Sequence, residues 1–232
     1  MTGSFLINLA HLPSDYWFRY HVYEDSAATK TDWTNLWRQA NASYAPHRLF
    51  VPSVYMHRRV FPDDAYESIN YATIGSLIAR QAASAHDLTG RHVDADGHRV
   101  TWMKDSERAV QDRIIGCVVE AFQNRYNGTP VATSVDRSAL YDAWASLSPL
   151  LGALHFSPGF TEQSSGFQRY NPQQLFFMSL CFNACGQGED GVRGFSAAAW
   201  CNIPLSLFRP FWDSFQCQEG SRMRSSVTCD EM

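Results

Sequence analysis

Asn70-Tyr71-Ala72-Thr73-Ile74-Gly75-Ser76-Leu77-Ile78-Ala79-Arg80-Gln81-Ala82-Ala83-Ser84-Ala85-His86-Asp87 is the stretch from which the fold can be read. Ile74, Leu77, Ile78, Ala82 and Ala85 recur at helical spacing, which predicts a helix from about Tyr71 to His86 with one apolar stripe. Ser76, Arg80, Ser84 and Asp87 recur by three or four along another face. Two arrangements are open for Arg80. It pairs with Asp87, two turns on, or it is solvated in a cleft.

Upstream, Tyr16, Trp17, Tyr20 and Val22, then Trp33, Leu36 and Trp37, predict helix over 14–38, divided near Glu24-Asp25-Ser26. Ala40-Asn41-Ala42-Ser43-Tyr44 and Leu49 to Tyr55 read as two short strands around Ala45-Pro46-His47, the second made an edge or bulged strand by Pro52. Downstream, a turn-rich segment from Thr89 to Gly97 precedes a long helix from Asp105 to Tyr126. Val110, Ile114, Cys117, Val118, Ala121 and Phe122 are its inward residues. Ser134 or Asp136 caps a helix from Arg137 to about Leu147. Further helices are expected from Gln173 to Ala184, started by Pro172, and from Leu207 to Phe215. The tail from Glu219 is polar apart from Val227 and Cys229.

The chain has 232 residues, 45% hydrophobic and 18% charged, an ordinary globular composition. Its net charge of −4 and lack of a basic block argue against nucleic acid as a partner. No apolar run reaches the roughly 20 residues that span a bilayer, and no secretory leader is legible at Met1. Six cysteines nevertheless suggest an oxidising compartment. That tension resolves if the chain is part of a longer secreted or membrane-anchored protein.

Several motifs in order resemble the C-terminal catalytic half of the neprilysin family of zinc metallopeptidases, which includes endothelin-converting enzyme. Asn70, Tyr71, Ile74, Gly75 and Ile78 match the frame of that family's zinc helix, NYxxIGxxIGHExxHxxDxxGR, and Asp87 and Gly90-Arg91 match its end. Asn41-Ala42-Ser43-Tyr44 resembles the NAxY strand that lies along bound peptide. Tyr141-Asp142-Ala143-Trp144 is similar to the helix carrying the third metal ligand. Gln174-Leu175-Phe176-Phe177 matches QLFF, and Asn202, Pro204-Leu205, Phe211, Phe215 and Cys217 match NxPL…F…FxC.

The resemblance implies an α+β, mainly α fold: a zincin-like catalytic lobe with a small edge sheet and several helices. It implies one domain over 1–232, an absent N-terminal lobe, an ectodomain location, and peptide contacts at Asn41, Ala42 and Tyr44. It also implies a disulfide Cys117–Cys229; Cys181 and Cys201 have no counterpart in neprilysin and are open to pairing with each other. Cys185 and Cys217 match cysteines whose partners lie in the absent lobe.

The departures fall on the chemistry. Arg80, Gln81 and Ser84 stand where two zinc-binding His and the Glu general base belong. Thr129 and Thr133 stand where the third ligand and its supporting Asp belong, and Gly194 and Trp200 where the late His and Arg belong. A full structural zinc site contributes on the order of 10–16 kcal/mol, and here its protein ligands are gone. Unit charges 4 Å apart interact by about 4 kcal/mol at an effective dielectric of 20. A divalent ion beside Arg80 would meet roughly twice that as repulsion. The expectation is a catalytically silent domain, without catalytic residues or cofactor, that binds a peptide or protein. The alternatives are a zinc endopeptidase, as membership alone would imply, and a fragment with no independent function.

His86, His92 and His98 recur every six residues beside Asp87, Asp94 and Asp96, but in a segment read as loop, so solvent-facing side chains are expected rather than a substitute metal site. Asp94-Ala95-Asp96-Gly97 lacks the downstream Glu of a calcium loop. Of two glycosylation sequons, Asn41 lies in a strand, leaving Asn127 as the acceptor.

Overall fold

The computed structural model describes residues 43–45, 48–51, 55, 61, 65–94, 98–126, 136–161, 169–182 and 197–229. The helix expected over 14–38, and Asn41, Ala42, Asn127, Thr129, Thr133, Cys185 and Gly194, lie outside these residues. The described part is mainly helical. The expected edge sheet is not seen as such. Extended structure among the described residues is one ribbon, β1 (Ser43–Ala45) antiparallel to β2 (Arg48–Phe50), with Tyr44 opposite Leu49, and an isolated bridge between Val93 and Arg99. Pro52 has no N–H with which to extend the ladder.

The diagnostic stretch is helical throughout, but not uniformly so. It runs as α1 (Glu67–Asn70), a π-helical turn (Tyr71–Gly75), α2 (Ser76–Ala83) and a 3₁₀ turn (Ser84–His86). The hydroxyls of Thr73 and Ser76 donate to the carbonyls of Ile69 (2.9 Å) and Thr73 (2.9 Å), where backbone and side chain compete for the same acceptors. Gly75 lets the π turn approach the next layer, since a Cβ there would lie 3.2 Å from Leu150 Cδ1. Asn70, Tyr71, Ile74, Gly75 and Ile78, the residues that match the family frame, are all buried. They are core positions. Ala82, assigned to the same stripe, is exposed.

The remaining elements are α3 (Asp105–Arg125), α4 (Arg137–Ala145), α5 (Leu147–His155), α6 (Pro172–Phe182), α7 (Ala197–Ser206) and α8 (Arg209–Phe215). Asp136 caps α4, accepting from the Ala139 amide at 3.0 Å. Asn171 and Gln174 bond each other's backbone amides and cap α6 reciprocally. The family-like Gln174 is therefore a capping residue, while Leu175, Phe176 and Phe177 fill the core behind it.

The sequence reading misses α5 and α7. Pro149 falls in the first turn of α5, where its missing N–H has no intrahelical acceptor. Pro204 falls in the last turns of α7, where packing of Ile203 and Leu205 overrides the one bond it removes. In α3 the inward face includes Gln111, and Val110 is exposed.

Two apolar clusters form the core. Helices α3, α4 and α7 meet around Val118, Phe122, Leu140, Trp200 and Ile203. The π turn, α5 and α6 meet around Tyr71, Leu150, Leu154, Phe176 and Phe177, with Leu205 and Phe208. Helix α7 contributes to both, so it fixes where Trp200 stands relative to α2. The disulfide Cys117–Cys229 ties the tail to α3 across 112 residues, and Cys181–Cys201 joins α6 to α7 across 20. In the chain-entropy picture the longer loop contributes about 4–5 kcal/mol and the shorter about 3 kcal/mol.

The end of the diagnostic stretch is held by Asp87, which is buried. Its Oδ1 accepts from the amides of Thr89 and Gly90, both at 2.7 Å. Gly90 then passes so close to the preceding turn that a Cβ would lie 2.6 Å from the Ala85 carbonyl carbon and nearer still to the Ser84 oxygen. Arg91 follows and bonds Asp112 (2.6 Å) and Gln111 (3.1 Å) on α3. Gln111 in turn donates to the His86 carbonyl and to the Tyr141 hydroxyl on α4. Asp87, Gly90 and Arg91 are thus a structural clasp between α2, α3 and α4. Because the obstruction at Gly90 is backbone, Gly90→Ala is expected to lower stability by about 2–4 kcal/mol, read as an earlier midpoint in urea unfolding, whereas Gly116→Ala, where a Cβ meets nothing within 4 Å, is expected not to.

Candidate functional site

The polar face of α2 carries Arg80, with Gln81 beside it and Ser84 in the 3₁₀ turn beyond, all half-buried. The Ser84 hydroxyl is committed to the Gln81 carbonyl at 2.7 Å. Arg80 reaches α7, where its guanidinium carbon lies 4.7 Å from the centre of the Trp200 ring. That is a cation–π contact, worth about 0.5–2 kcal/mol. It brings together two positions far apart in sequence, both among the substituted ones.

The salt bridge between Arg80 and Asp87, one of the two arrangements open from the sequence, does not form. Asp87 has left the helix for extended backbone, and its carboxylate serves the turn. Among the described residues the guanidinium finds no hydrogen-bond acceptor, and Arg80 is half-buried. Desolvation lowers its pKa to about 10. It remains a cation at neutral pH.

A zinc ion is what the frame of this helix would lead one to test. The side chains at the three helix positions are a guanidinium that has no lone pair to offer, a carboxamide, and a hydroxyl already bonded within its own turn. They do not fit the ion. Among the described residues no three His, Cys, Asp or Glu side chains cluster closely enough to hold a metal. His86, His92 and His98 are all exposed. His86 stands edge-on to Trp102 at 5.7 Å, and His98 lies 3.7 Å from the Asp94 carboxylate.

Other features lie around the same helix. Ribbon β1–β2 packs against α2, which places Tyr44 on a strand beside it. On a different face, Ile78, Ala79, Ala82, Ala83 and His86 line an apolar groove of about 480 Å³ with Tyr141, Pro149 and Leu150 of α4 and α5. The groove does not include Arg80, Gln81 or Ser84. Cys217 follows α8 as a free, half-buried thiol. Burial raises its pKa, and the nearby Arg224 opposes the shift.

Sequence reasoning missed the Arg80–Trp200 contact and the role of Gln111. Neither has a spacing signal. A pair drawn from α2 and α7 meets only because the two core clusters share α7.

The sequence model of Peptidase family M13 matches residues 41–230. Neprilysin-11 of Caenorhabditis elegans is 24% identical over 209 residues, covering 82% of this chain and 24% of its own length. The solved Haemonchus galactose containing glycoprotein complex superposes with a TM-score of 0.68 at 20% identity, over 82% of this chain and 32% of that one. The Mycobacterium tuberculosis zinc metalloprotease Zmp1 in its open state gives 0.64 at 18% identity, over 83% and 33%. The structural likenesses establish the fold. The chain spans about a quarter to a third of the length of these proteins.

Arg80 carries a stability cost that follows from its pKa. Below about pH 10 the guanidinium is charged in both states, and the unfolded chain solvates that charge better. The cost is present in full there and fades as pH rises above about 10 toward the ordinary arginine range. After offset by the indole contact it amounts to about 1–2 kcal/mol. Arg80→Met, which keeps packing on Trp200 without the charge, is expected to raise the melting temperature at pH 7 by about 2–8 °C, measured by calorimetry, with no gain from Arg80→Lys.

Proposed function

The chain belongs to peptidase family M13, and from that premise we propose that it is a catalytically silent member that binds peptides without hydrolysing them. The observation that carries this reading is the contact of Arg80 with Trp200. By the family resemblance, Arg80 stands at the first zinc-binding His and Trp200 at the late Arg. At both positions the chemistry has changed, and the two replacements pack on each other. Gln81, at the general-base position, has a carboxamide that does not take up a proton near neutral pH. Thr129, Thr133 and Gly194, assigned by the same resemblance, offer no imidazole or carboxylate. Without a ligand set, no metal-bound water is available for attack on a peptide bond.

Peptide binding rests on the ribbon. The resemblance assigns backbone contacts to Asn41, Ala42 and Tyr44, and β1 lies against α2. An added strand would draw its affinity from main-chain hydrogen bonds, which need no catalytic group. The two disulfides fit an extracellular or ectodomain setting, with Asn127 as a glycan acceptor. No described helix is long and apolar enough to cross a membrane.

The share of its relatives' length that the chain covers favours a second reading, that of a portion folding only against a further lobe. A cooperative thermal melt of the isolated chain would remove it. For the main reading, the chain dialysed against excess zinc is expected to hold well under one equivalent by plasma emission spectrometry and to leave a mixed fluorogenic peptide pool intact. Stoichiometric zinc removed by a chelator, or cleavage abolished by it, would replace this reading with that of a zinc endopeptidase.

A further inference from the structure

We propose that Arg80 makes the old metal position a carboxylate-recognition site, so that the peptides bound are those presenting an acidic group to α2. This deepens the peptide-binding reading and rests on it. The inference starts from how a guanidinium divides its surface. Its π face is used by Trp200, 4.7 Å away. Its N–H donors lie in the plane, around the edge, and stacking leaves them available. Among the described residues none of them bonds to the protein, and Arg80 is half-buried, not fully enclosed. The acidic residue nearest along the helix, Asp87, is bound to two backbone amides. A cation is therefore held in one orientation, in partly desolvated surroundings, with its fork unoccupied.

Charge and shape select the ligand. The in-plane fork matches a carboxylate bidentately. One guanidinium balances one negative charge; a phosphate dianion would leave an uncompensated charge in the same low-dielectric setting. Pairing with a carboxylate also relieves the desolvation that Arg80 otherwise bears. A zinc ion at this position would attract the same kind of group, so the site keeps its positive sign while losing the ion. Packing of β1 on α2 sets a peptide's backbone and its acidic group within one surface.

The test uses three octapeptide pools carrying an uncharged boron-dipyrromethene label, with random Ala, Leu, Phe and Tyr flanks. One has a central Glu and an amidated end. The second has Gln and an amidated end. The third has Gln and a free carboxyl end. Fluorescence anisotropy with the full chain is expected to show at least about tenfold tighter binding of the first or third pool than of the neutral second. Which of the two binds tells a side-chain from a terminal carboxylate. Arg80→Met is expected to remove the preference, so that the acidic pools bind no more tightly than the neutral one. As a check that needs no variant to fold, the arginine Nε–H resonances of the wild-type chain are followed by NMR during titration with the preferred pool, and one is expected to shift in step with binding. Equal binding of all three pools overturns the assignment of Arg80 but leaves peptide binding standing. A preference that survives Arg80→Met, or binding that shifts no arginine resonance, overturns it as well. No binding of any pool overturns both readings.

Discussion

Asp87 directs its carboxylate at the amides of Thr89 and Gly90, and from that commitment much of the site follows. It ends the helix in extended backbone, brings Gly90 against the Ser84–Ala85 carbonyls, and aims Arg91 at α3. It also removes the acidic group best placed to neutralise Arg80. A lone guanidinium left beside a core finds the next available attraction, the face of an indole. The cation–π contact is thus a consequence of how the neighbouring turn is capped.

This division of labour explains an otherwise odd feature of the chain, a frame that resembles a zinc helix around a guanidinium, a carboxamide and a hydroxyl. Asn70, Tyr71, Ile74, Gly75 and Ile78 are buried, and Asp87, Gly90 and Arg91 form a clasp. Each has a structural reason to be where it is. Arg80, Gln81 and Ser84 lie on the half-buried face, where the packing constraint is looser. Scaffold and chemistry occupy different sides of one helix, so the second can change while the first stays.

Charge at the site tells the same story with a sign attached. Zinc is a cation held by imidazole and carboxylate lone pairs. Arg80 is a cation held by covalent attachment and stacking, and desolvation lowers its pKa without discharging it. In the proposed reading, an electropositive spot stands at this position without a donor set to bind and activate water. That is the physical basis for reading the domain as a binder.

Much of the helical architecture was legible in the residues alone. The 3.6 period gave α3 closely, Asp136 marked the start of α4, and Pro172 that of α6. Ile74 and Ile78 of the expected apolar stripe are buried, and the guanidinium, carboxamide and hydroxyl of Arg80, Gln81 and Ser84 are readable because side-chain chemistry is written directly in the sequence. Helices α5 and α7 were not, since Pro149 and Pro204 look like breakers until their places within a turn are known. Edge sheet and ribbon differ because strand length depends on which backbone groups find partners. The partner of Arg80 was decided only in three dimensions. Sequence offered Asp87 on local spacing; the fold, by turning the chain at Asp87 and threading α7 through both core clusters, gave Trp200 instead.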